Sequence, residues 1–116
     1  MKRRLGLFWL LLASAVSAGP IERLTLAVSP VSSFAPANLV VRVHVTSDPT
    51  NRALEVIAES SDYLRSSRIQ LDGEEAPKTI TLEFRGLPPG DYAVRGALID
   101  DSGRARATVR KQVLVL

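Results

Sequence analysis

From Leu39 to Thr46 the apolar residues fall at every second position: Leu39, Val41, Val43 and Val45 are apolar, and Arg42, His44 and Thr46 alternate with them. A period of two suits a strand with one buried and one wet face, and no stretch beyond residue 18 sustains the 3.6-residue period of an amphipathic helix. Thr79–Arg85 repeats the pattern, with Ile80, Leu82 and Phe84 inward and Thr79, Thr81, Glu83 and Arg85 outward. Its β-branched threonines fit a pleated surface. Leu24, Leu26 and Val28 make an opening strand that ends or changes partner at Pro30, because proline has no N–H to give to a ladder. Leu54, Val56 and Ala58 form another inward set, and Ile69 with Leu71 a short one that stops at Asp72-Gly73. Tyr92, Val94, Gly96 and Leu98 follow the Pro88-Pro89-Gly90 turn; Asp100-Asp101-Ser102-Gly103 then reverses the chain into Ala105–Leu116, where Val109, Val113 and Val115 share a parity. About seven strands joined by tight turns predict an all-β chain, a single antiparallel two-sheet sandwich.

The first eighteen residues follow another logic. Lys2, Arg3 and Arg4 precede an apolar run from Leu5 to Val16, and Val16-Ser17-Ala18 leads into Gly19. A basic start, an apolar middle and small residues at the cut are the layout of a secretory signal peptide, and the run is well short of the roughly 20 residues that span a bilayer. The expectation is therefore a cleaved signal over 1–18 and one domain over 19–116, exported to the periplasm or the extracellular space, with no stable membrane anchor after cleavage. Removing Lys2, Arg3 and Arg4 lowers Lys plus Arg from 15 to 12, against 12 Asp plus Glu, so the mature chain is formally neutral. A field that would steer nucleic acid is absent. With no cysteine, stability must come from apolar burial and backbone pairing.

The segment Leu87-Pro88-Pro89-Gly90-Asp91-Tyr92, the Asp100-Asp101-Ser102-Gly103 turn and the alternating valines at the end resemble the final hairpin of bacterial immunoglobulin-like and fibronectin type III-like domains. The resemblance covers about the last thirty residues, and implies an immunoglobulin-like sandwich in which Tyr92 is a structural corner, its ring in the core and its hydroxyl bonded to nearby backbone. Antibody-type cysteines are missing, and Trp9 lies in the leader. Transthyretin-like and carboxypeptidase regulatory-like domains share the Leu-Pro-Pro-Gly-x-Tyr turn and are the second resemblance. Both families imply mostly non-catalytic modules.

Candidate chemistry is sparse. His44 is the only histidine and sits on the wet parity of its strand, so no metal or other cofactor is expected. No Gly-x-Ser-x-Gly elbow places a serine for attack. Asp100-Asp101 and Glu74-Glu75 lack calcium-loop spacing and suit turns that bond their own backbone. Arg104, Arg106 and Arg110 share a parity on the last strand, and Arg95 neighbours the strand carrying Glu55 and Glu59, which predicts cross-strand ion pairs. Within that frame Ile57 and Ile99 fall on the outward parity with Ala97 close by, and apolar residues rimmed by charge can mark a contact surface. The candidate interaction face is Glu55, Ile57, Glu59, Arg95, Ala97, Ile99 and Arg106. The functional expectation is a non-enzymatic immunoglobulin-like module for protein–protein interaction or structure, with a protein partner or self-association. A carbohydrate- or small-ligand-binding sandwich is the alternative, for which Phe34 and Tyr63 are the aromatic side chains in or near loops.

Overall fold

The computed structural model describes residues 23–116; the leader and its cut after Ala18 lie outside them. The strands are β1 (Leu24–Ser29), β2 (Ser32–Ser33), β3 (Ala37–Val45), β4 (Asn51–Glu59), β5 (Leu64–Gln70), β6 (Thr79–Leu87), β7 (Gly90–Asp100) and β8 (Ala105–Val115), with one 3-10 turn at Gly73–Glu75. They form two sheets, β1-β3-β6 and β2-β8-β7-β4-β5. The eighth strand, beyond the seven expected, is β2: the chain leaves β3 at Pro30 and runs parallel to β8 in the other sheet.

The alternation sets what is buried. Leu39, Val41, Val43 and Val45 of β3 face Leu54, Val56 and Ala58 of β4 and Tyr92, Val94 and Leu98 of β7 in one core. Gly96 shares the buried parity of β7, where a Cβ would stand 3.4 Å from both Leu26 Cδ1 and Val109 Cγ1. The glycine leaves room for β1 to close over β8. On β6 only Phe84 and Leu87 are fully buried, while Ile80 and Leu82 are half-covered, because β6 is the outer strand of the smaller sheet.

Loop acids act on their own turns. Asp100 Oδ1 accepts from Ser102 N at 2.9 Å, Ser102 Oγ at 2.6 Å and Arg104 N at 3.0 Å, and Gly103 takes the left-handed φ of 85° that the reversal requires. Asp48 accepts from Thr50 N at 2.8 Å and Thr50 Oγ1 at 2.7 Å, and those bonds, more than nearby Arg106, pull its carboxyl down to about 2. A depressed carboxylate stabilises the fold above its unfolded pKa, and that contribution disappears as pH falls from 3.8 through about 2. Thr50→Val, which removes the largest of these causes, should therefore raise the Asp48 pKa, read from carboxyl chemical shifts during acid titration. An unchanged Asp48 titration in Thr50→Val would remove the Thr50 hydroxyl from this account.

Candidate functional site

The outward face of the larger sheet follows from its registers. Ile57 of β4 stands opposite Arg95 of β7 and Ser66 of β5; Glu55 stands opposite Ala97 and Arg68. Across β7 and β8, Arg95 faces Arg110 and Ala97 faces Thr108. The small Ala97 side chain between these longer ones leaves a groove of about 350 Å³, lined by Glu55, Ile57, Arg95, Ala97, Thr108 and Arg110 with Gly96 and Val109.

Two of the cations around it are matched. Arg68 Nη1 donates to Glu55 Oε2 at 2.8 Å, and Arg95 Nη2 to Glu59 Oε1 at 2.6 Å. Arg110 forms no ion pair among the described residues, although it stands directly across from Arg95. Like charges opposite each other on neighbouring strands repel, so this end of the groove favours an anion.

Six of the seven residues expected on the interaction face, Glu55, Ile57, Glu59, Arg95, Ala97 and Ile99, lie on this outward surface. Ile99 sits past the groove, against Ala53 and Ala105. Arg106 does not belong to the face. The register shifts between Leu98, paired with Ala107, and Ile99, paired with Ala105, so Arg106 is the extra residue of a bulge, and the parity counted from Arg104 through Arg110 breaks there. Its guanidinium turns to the loop before β4, reaching Asp48 Oδ2 at 3.1 Å and the Thr50 hydroxyl. Arg110 and Thr108 complete the groove, and Arg68 stands beside it, bonded to Glu55. Arg110 was visible as an outward cation of the last strand, but recognising Arg68 required the β4–β5 register.

The remaining candidates lie elsewhere. Tyr92 is fully buried; its hydroxyl donates to the Pro88 carbonyl at 2.7 Å, and its ring meets Tyr63 edge-on at 6.5 Å. The turn needs Gly90, where a Cβ would come within 3.0 Å of Ser60 Cβ and 3.2 Å of Tyr92 Cε1. His44 is exposed on the smaller sheet, its Nδ1 3.4 Å from Thr79 Oγ1. Phe34 is 78 % exposed, whereas Tyr63 packs against the core.

No family model matches the chain, and no curated protein matches it. Solved structures do resemble it. The superoxide reductase (neelaredoxin) from Ignicoccus hospitalis is 15% identical with a TM-score of 0.65, over 82% of this chain and 81% of that one. A variant of the same enzyme is 16% identical with a TM-score of 0.66, over 88% and 86%. The sensor domain of the anti-sigma factor RsgI4 from Pseudobacteroides cellulosolvens is 13% identical with a TM-score of 0.50, over 84% of this chain and 100% of that one. At these identities the likeness is one of fold, an all-β sandwich. It corrects the functional expectation: enzymes share this sandwich, so the fold does not mark the chain as a non-enzymatic immunoglobulin-like interaction or structural module, nor as the carbohydrate- or small-ligand-binding alternative. At 15–16% identity these neighbours show the fold alone, not an activity of this chain. The chain has one histidine and no cysteine, and no group of three or more His, Cys, Asp or Glu side chains placed to hold a metal ion occurs among the described residues. No helix among those residues is long and apolar enough to cross a membrane.

Proposed function

We propose that this chain is an exported recognition domain of sensor type, which takes an acidic polypeptide segment in the groove across β4, β7 and β8. The observation that carries this reading is Arg110, a cation with no carboxylate among the described residues, directly across from Arg95 and beside the Ile57 and Ala97 side chains. A glutamate or aspartate of the partner would relieve the repulsion between the two guanidiniums, and an apolar side chain two positions along an extended segment would cover Ile57 and Ala97. Export is supported by the basic, apolar and small-residue succession of residues 2–18, and the sensor reading by the fold shared with the RsgI4 domain. The strand order and the Tyr92 corner support an immunoglobulin-type sandwich as the scaffold.

The test is a titration by nuclear magnetic resonance with a short peptide alternating glutamate and leucine. Amide shifts should cluster on Ile57, Arg95, Ala97 and Arg110 and weaken with added salt, and Arg110→Glu should reduce affinity by about tenfold or more. Equal binding of a lysine–leucine peptide, or no change in Arg110→Glu, would overturn the reading.

A further inference from the structure

β5 is the last strand of its sheet, and nothing in the described fold covers its outer edge. Leu71 N donates to Arg52 O, and Ser60 N to Tyr63 O, both at 2.8 Å. With the β4–β5 register, these bonds assign the odd-numbered residues of β5 to the ladder with β4, so Leu64, Ser66, Arg68 and Gln70 point their N–H and C=O groups away from it. A free edge of this kind is usually blunted by proline, a bulge or outward charges. β5 has neither proline nor a register shift. Its two cations are drawn back onto their own domain, Arg68 to Glu55 at 2.8 Å and Arg65 to the Tyr63 hydroxyl at 3.1 Å and the Arg85 carbonyl at 2.9 Å. At the other end of this sheet β2 covers the last residues of β8, where Leu114 N and Leu116 N donate to Val31 O and Ser33 O.

We infer that two copies of the chain join antiparallel along β5, with Ser67 facing Ser67 of the second copy, to make one ten-stranded sheet. Only the even-numbered residues can supply the new hydrogen bonds, so the two-fold axis passes through an odd residue or through an even residue paired with itself. Centring on Ser67 engages Leu64 with Gln70 and Ser66 with Arg68 in both directions, using the whole strand in about eight backbone bonds. Centring on Arg68 would set two guanidiniums face to face, and centring on Ser66 would leave Gln70 unpaired. On the inner side the Ser67 register places Arg65 across from Ile69 and no like charges opposite each other. The half-buried Ile69 of β5 and Ile80 and Leu82 of the neighbouring outer strand β6 line the same open side, held together by the Arg65–Arg85 bond. A second copy would cover them.

Sedimentation equilibrium of the purified protein tests this. The wild type should show a concentration-dependent dimer. Ser66→Pro, which removes an outward N–H at an edge position where proline is tolerated, should be a monomer whose melting temperature matches that of the wild type at dilutions where the wild type is itself monomeric. The register is tested by charge: Ser66→Asp meets Arg68 of the other copy twice and should tighten the dimer, whereas Ser66→Arg should loosen it, each by about tenfold. Arg110→Glu should leave the mass unaltered, which separates this edge from the groove. A wild type that stays monomeric up to about 1 mM, or Asp and Arg variants that behave alike, would overturn the assignment.

Discussion

Tyr92→Ala should unfold at a much lower denaturant concentration than the wild type, with a loss of about 3 to 5 kcal/mol. The ring fills the end of the core where β7 begins, fully buried and packed edge-on against Tyr63. Its removal leaves a space beside Gly90, which has no side chain to extend into it. The hydroxyl makes a smaller and separable contribution. Tyr92→Phe keeps the ring and loses the hydroxyl with its 2.7 Å bond to Pro88 O, so it should cost about 1 kcal/mol. Burial pushes the phenol pKa above 10.0. A raised pKa means that folding favours the protonated ring; this stability is full below the unfolded value and is lost as pH rises through the folded one. The wild type should therefore weaken above pH 10 more steeply than Tyr92→Phe. A Tyr92→Ala midpoint equal to that of the wild type would remove the corner from the account of the fold.

The sandwich was legible because burial on both sheets obeys a period of two: Leu39 to Val45, Leu54 to Ala58 and Tyr92 to Leu98 each present one parity to one core. Parity carries no information across an irregularity. The bulge between Leu98 and Ile99 therefore moved Arg106 off the face that Arg110 occupies, although both have even numbers. β2 escaped for a related reason, since a two-residue parallel pairing held by Val31 O and Ser33 O has no periodicity to detect. Ile80 and Leu82 alternate as cleanly as Val41 and Val43 but are only half-buried, because burial depends on whether a facing strand lies above, and sheet order is not written in a local pattern. The groove was half legible. Ile57, Ala97 and Arg95 shared an outward parity on strands expected to be neighbours, whereas Arg68, the partner of Glu55, was placed only by the β4–β5 register. Function was the least legible, since one sandwich serves both a superoxide reductase and a sensor domain and only the side chains on its surface distinguish them.

Asn51→Asp should destabilise the protein by about 3 to 4 kcal/mol at pH 7 and recover most of that loss in acid. Asn51 opens β4 and is 1 % exposed. Its Nδ2 donates to the Thr46 carbonyl at 3.1 Å, while Oδ1 has no hydrogen-bond partner among the described residues. The amide is thus held through its donor. Replacing that nitrogen with a carboxylate oxygen sets two acceptors against each other, and it buries a charge with no cation assigned to it. A protonated carboxyl can still donate to Thr46 O, so the folded state should raise the pKa of the new group well above the usual 3.9 or so of an aspartate. The sign follows from linkage: the penalty is absent below the unfolded pKa, grows as pH rises toward the folded one, and is constant above it. Asp48, three residues away, acts in the opposite direction, losing its contribution as pH falls toward about 2. Denaturant midpoints of variant and wild type compared at pH 4 and pH 7 separate the two effects. The difference between the proteins should narrow at pH 4 while both remain folded. A variant as stable as the wild type at pH 7 would mean that water reaches residue 51, and that the loop between β3 and β4 opens more readily than its hydrogen bonds to Asp48 and Thr46 imply.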